Sequence, residues 1–276
     1  MVQTSLTIRG NAVTRIYREL TSRQLTLTRF GVVMTALAVP SALLGFVDQR
    51  EVLGVSTWIK PTKFFLSIAI YALTLAWAFA FLTPERRTGR AARYIVITTI
   101  AAASLEQVII TVRAALGQRS HFNTATTLDS IWYNVMAVGA VLLISTSLVM
   151  GVMVWRSKAL TGARLIGWSA GLFIAGLFGG VTGNVLGASQ TGHLVGSTAD
   201  DRAGMPLLGW STNAGDLRIA HFVALHSMFI LPLVGWLAHH QWGGRKAASN
   251  ITGIASVLWG ILVIGTMINA LAGRPL

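Results

Sequence analysis

The chain contains no cysteine, which excludes disulfides, thiolate metal sites and cysteine nucleophiles. Charge is scarce as well. Only 11% of the 276 residues carry it, where a water-soluble globule would have about a quarter of its residues charged. Acidic residues are the rarest, nine against 22 lysines and arginines. The formal charge of +13 does not make a nucleic-acid-binding domain, because the basic residues are scattered through an apolar chain instead of forming one patch. A glycine-rich phosphate loop, a dinucleotide fingerprint, a serine-nucleophile elbow and an EF-hand are all missing.

What the sequence has is hydrophobic length. Seven apolar runs, Phe30–Val47, Phe64–Leu82, Tyr94–Leu116, Ile131–Trp155, Leu165–Leu186, Leu217–Leu237 and Ile251–Leu271, approach the roughly 20 residues needed to cross a bilayer as a helix. They are continuously apolar, unlike barrel strands, which alternate. The expected fold is all-α, a polytopic integral membrane protein with seven transmembrane helices in one domain over residues 30–276. With the N-terminus inside, the cytoplasmic segments hold 14 of the 22 lysines and arginines. That bias orients the chain N-terminus in the cytoplasm and C-terminus out. A cell membrane, the bacterial inner membrane, is the expected location. Trp58, Trp132 and Trp210 then belong to an outer aromatic belt, and Trp155, Trp168, Trp236 and Trp242 to an inner one.

Residues 1–29 form a basic cytoplasmic segment. Arg9, Arg15, Arg18, Arg23 and Arg29 are dispersed and no small-residue cleavage site precedes the first run, so a cleaved signal is not expected. Val13, Ile16, Tyr17 and Leu20 recur at helical spacing, the pattern of an interfacial helix on an anionic leaflet. The one long connection, residues 187–216, lies outside as a lid or as a plain flexible link. In the fifth run Gly171, Ala175, Gly179, Gly183 and Gly187 recur every four residues. Such a stripe admits a close neighbour, within the bundle in preference to an oligomer interface. Asn184 beside it is expected to hydrogen-bond across helices.

Ionisable residues inside a membrane are costly, so each one invites a functional hypothesis. Glu106 lies ten positions before Leu116, roughly 15 Å from the end of its run. Arg113 follows it on nearly the same face. His226 lies at a matching depth in the sixth run, so Glu106 and His226 form a candidate catalytic, proton-carrying pair. Asp216 reads as the N-cap of that run. Arg218 and His221 share one side of it, three residues apart. After the third run comes the polar stretch Gln118-Arg119-Ser120-His121-Phe122-Asn123. Arg113, Arg119, His121, Asn123, Arg218 and His221 are the candidate ligand-binding residues, and with nearby helix N-termini the arginines suit an anionic group. Lys60 and Lys63 read as interfacial anchors.

His221 and His226 are five apart, about 140° around a helix, so they cannot share one metal. If haem b is bound, its metal ligands come from His121, His221 and His226, with His121 opposite one of the other two. His239 and His240 read as interfacial. Three functional readings stand. One is a membrane-embedded redox protein that binds haem or a quinone headgroup. The second is a proton-coupled transporter or channel for a small, anionic solute. The third is a non-catalytic scaffold or assembly factor whose polar residues join helices.

Overall fold

The computed structural model describes residues 11–189, 192–197, 201–202, 204–205 and 208–276. Arg9, one of the basic residues of the N-terminal segment, lies outside them, as do parts of the 187–216 connection. Asn11 caps the first helix, α1 (Ala12–Arg23), its side chain accepting from the Thr14 N–H. Gln24 then adopts extended backbone and caps α2 (Leu25–Val47) in the same way, accepting from Leu27 N–H. The chain continues as α3 (Ile59–Ala78) with a 3-10 turn at Phe79–Phe81, the short α4 (Pro84–Thr88), α5 (Arg90–Ala115), α6 (Thr127–Ser157), α7 (Gly162–Ala188), α8 (Leu217–Trp242) and α9 (Lys246–Leu271).

Seven of these helices are long and apolar enough to cross a membrane: α2, α3 with its 3-10 turn, and α5 to α9. The protein is thus an all-α, multi-pass membrane bundle. Its helices overrun the apolar runs, because caps and charged residues extend the backbone ladder beyond the hydrocarbon. Thr126 caps α6 by accepting from Asp129 N–H, and Asp216 caps α8 by accepting from Arg218 N–H, as its sequence position suggests. α1 buries Leu20, leaves Val13, Ile16 and Tyr17 exposed, and lays the Arg23 guanidinium over the Trp77 ring at 4.8 Å.

Gly167, Gly171, Gly179 and Gly183 of α7 face α8. A Cβ at Gly167 would lie 2.4 Å from the Leu231 carbonyl oxygen, and one at Gly171 2.6 Å from that of Ser227. Ser227 Oγ donates to Gly171 O at 2.8 Å across the same contact. This part of the small-residue stripe is therefore filled within the chain. Asn184 departs from expectation: its side-chain amide donates to Gly180 O of its own helix. Trp58 and Trp168 are also buried, unlike belt residues. Trp58 Nε1 donates to Asp48, and Trp168 packs edge-on against Phe81.

The largest apolar cluster lies toward the end that the charge count assigns to the cytoplasm. It includes Leu75, Phe79, Ile95, Met150, Leu172 and Met228. Among the described residues, the other end, called outer below, has a small cluster of Ile109, Ile110 and Met136 against Phe64. Two hairpins close it. β1 (Glu51–Val52) and β2 (Val55–Ser56) turn through Leu53 and Gly54, both with positive φ, as tight two-residue hairpins require. β3 (Leu194–Val195) pairs with β4 (Gly215–Asp216), so the long connection joins its own two ends. The Asp201 N–H, donating to Leu53 O at 3.0 Å, ties it to the first hairpin.

Candidate functional site

Glu106 is nine residues inside the end of α5, about 14 Å below it along the axis, and 6% exposed. Its partner comes from the following loop. His121 Nε2 lies 3.0 Å from Glu106 Oε1, so residues 116–126 turn back into the bundle. An ion pair between Arg113 and Asp129 at 2.6 Å fastens the two ends of this loop. The Thr126 hydroxyl donates to the same Asp129 carboxylate. Within the loop, Asn123 Oδ1 accepts from Ala125 N–H and its amide donates to Arg119 O. Directly after His121, Phe122 has φ of 54°, a left-handed conformation that costs a bulky residue energy and persists only when surrounding structure holds it. Contacts of its ring with Tyr133 at 5.6 Å and His193 at 6.4 Å supply that hold.

The other ring nitrogen of His121 faces α3. Lys60 Nζ lies 3.0 Å from Nδ1, and Ser120 Oγ lies 3.1 Å from the same atom. An ammonium can only donate. Nδ1 therefore accepts, and the Nε2–H donates to Glu106. Burial first, then the Lys60 cation, push the His121 imidazole below its usual range, against the opposing pull of Glu106. The ring lies between an amine and a carboxyl group, bordered by Phe64 at 5.9 Å and Tyr133 at 6.4 Å. Glu106 Oε2 is buried with no hydrogen-bond partner among the described residues. Lys60, His121 and Glu106 form a continuous chain from the mouth of α3 to a carboxylate oxygen inside the bundle.

A second polar cluster lies at the same end. Arg218 binds Asp201 at 2.9 Å and Asp216 at 2.7 Å, and donates to Gly209 O at 2.7 Å. His193 Nε2 meets Asp201 at 3.0 Å. Burial alone would raise the Asp201 carboxyl, but its hydrogen bond with His193 and the Arg218 charge hold it below the usual carboxylate range. Lys63 Nζ donates to Leu208 O at 3.0 Å. These contacts fasten the described part of the outer connection over the ends of α3 and α8.

The residues selected from sequence thus fall into separate groups. Glu106 hydrogen-bonds His121, not His226. His226 Nδ1 approaches the Phe222 carbonyl of its own helix at 2.8 Å. His221 Nδ1 faces α7, at 3.1 Å from Gly179 O and 3.2 Å from Thr182 Oγ1, and its ring fills the space beside Gly183. Arg113 and Arg218 are occupied by carboxylates of this chain, Asn123 shapes the loop, and Arg119 is exposed. Lys60 reads from sequence as an anchor, yet it is half-buried and belongs to the hydrogen-bonded chain that reaches Glu106. Its position on the first turn of the helix that starts beside the His121 loop was the available signal. No cluster of three or more His, Asp or Glu residues suited to a bare metal ion occurs among the described residues.

Fold and geometry together define a class: a seven-helix membrane protein with a lysine–imidazole–carboxylate chain sunk into one end. No protein-family model, curated protein or solved structure matches the chain.

Proposed function

We propose that this is a membrane-embedded redox protein, set in a bacterial inner membrane, in which Lys60, His121 and Glu106 handle the protons that accompany electron transfer. The observation that carries the reading is the bridging position of His121, one ring nitrogen toward an amine and the other toward a carboxylate. A proton passed from Lys60 to Nδ1, with the Nε2 proton passed on to Glu106, converts one imidazole tautomer to the other. The cation and anion are discharged together, so no net charge is left in a low-dielectric region where it would be costly. Oε2, without a partner among the described residues, leaves Glu106 a further position at which a proton can be held or given up.

Infrared difference spectra between acidic and neutral buffer test the relay. A carboxyl band that shifts in D2O and vanishes in E106Q is expected, with H121Q slowing the exchange. Absence of any Glu106-dependent band removes the carboxylate from proton handling. Reducing the purified protein beside a pH indicator tests the redox half. Proton uptake on reduction, lost in E106Q, is expected, and a protein that accepts no electrons ends the redox reading.

A second reading, proton-coupled uptake of a small anionic solute, is favoured by Lys60 and Lys63, which have no carboxylate in salt-bridge contact among the described residues. Against it, Arg113 and Arg218 are already neutralised by this chain's own carboxylates. Uptake into proteoliposomes that depends on pH and on Glu106 would establish it.

A further inference from the structure

His226 is the imidazole that the relay does not use. It is half-buried, nine residues into α8 and about 14 Å from the outer end. Its Nδ1 is 2.8 Å from the Phe222 carbonyl, four residues earlier. A carbonyl can only accept, so Nδ1 carries the proton and Nε2 presents a lone pair. Nε2 has no hydrogen-bond partner among the described residues. One face of the ring lies against Phe222 at 3.5 Å, and Phe229 meets it edge-on at 4.8 Å. Trp210 packs edge-on against Phe222 at 5.1 Å. The surroundings are a wall of aromatic carbon.

An imidazole that gives one N–H to a backbone carbonyl and keeps its other nitrogen unprotonated has the tautomer of a metal ligand. A bare ion would need several further protein donors. The chain has no cysteine, and the described residues offer no group of three or more acidic or imidazole ligands. An iron carried in a porphyrin brings its equatorial nitrogens with it, needs only an axial ligand from the protein, and suits apolar walls. Neither of the other two candidate imidazoles shares this iron. Both ring nitrogens of His121 are engaged, by Lys60, Ser120 and Glu106, and His221 points to α7.

We propose that His226 Nε2 is the single protein axial ligand of a haem iron seated beside Phe222 and Phe229. The proposal rests on the redox reading and supplies its electron carrier. The test is absorbance of the full-length protein, produced with added haem precursor and purified in detergent. A Soret band is expected in the wild type. H226A should lose at least about tenfold of it, and free imidazole in the buffer should restore it, which a merely unfolded variant would not allow. H121Q and E106Q should keep the band, so a failed proton relay and a failed haem site give different results. A wild type that shows no Soret band and does not shift the spectrum of added hemin overturns the proposal. So does an H226A spectrum identical to the wild type's.

Discussion

The His121 imidazole has a protonation preference that reaches beyond its own pocket. Its folded pKa is depressed by burial and by Lys60, while in the unfolded chain it titrates near 6.5. Below that value the unfolded state binds the proton more readily, so folded stability falls as pH falls. The contribution is fully present above 6.5 and is lost on descent through the lower folded value. Thermal unfolding in detergent at a series of pH values from about 7 down to about 5 should show a declining midpoint. The decline should be shallower in H121Q, and parallel curves for the two proteins would refute this account. At this scale the sequence was half legible. A lone carboxylate in the third apolar run marks Glu106 as unusual, but its matching depth with His226 pointed to the wrong helix. The actual partner arrives from a loop, and loop depth has no signature in hydropathy.

Between elements, the α7–α8 seam has the closest backbone approach in the bundle's glycine contacts apart from the Gly215–Ala270 contact. With no room for a Cβ at Gly171, G171L must separate the helices or strain Ser227 and Pro232. Overpacking of this sort costs on the order of 1–3 kcal/mol, so a clear drop in unfolding midpoint is expected. G260L on α9, where a Cβ would meet nothing within 4 Å, should leave the midpoint nearly unchanged. Equal losses in the two variants would mean that the seam has no special role. The four-residue spacing of the glycines announced the stripe. Which helix fills it, and that His221 occupies the space beside Gly183, depended on the fold.

For the whole molecule, orientation is the central claim, and the missing cysteines make it easy to test. A membrane-impermeant maleimide applied to intact spheroplasts should label T124C, in the His121 loop, and should label G244C, in the α8–α9 turn, only after permeabilisation. The reverse pattern would invert the topology, and the lysine–imidazole–carboxylate chain would then open to the cytoplasm.

Seven spans and their approximate ends were determined by the sequence alone, because hydrophobic length acts locally, one segment at a time. The Asp216 cap was legible for the same reason. The partner of Glu106 was decided only in three dimensions. The Arg113–Asp129 ion pair and the left-handed backbone at Phe122 turn residues 116–126 back into the bundle, and Lys60 meets His121 there from a helix 61 positions away in sequence. Such contacts depend on how separate segments are packed, and no periodicity within one segment encodes them.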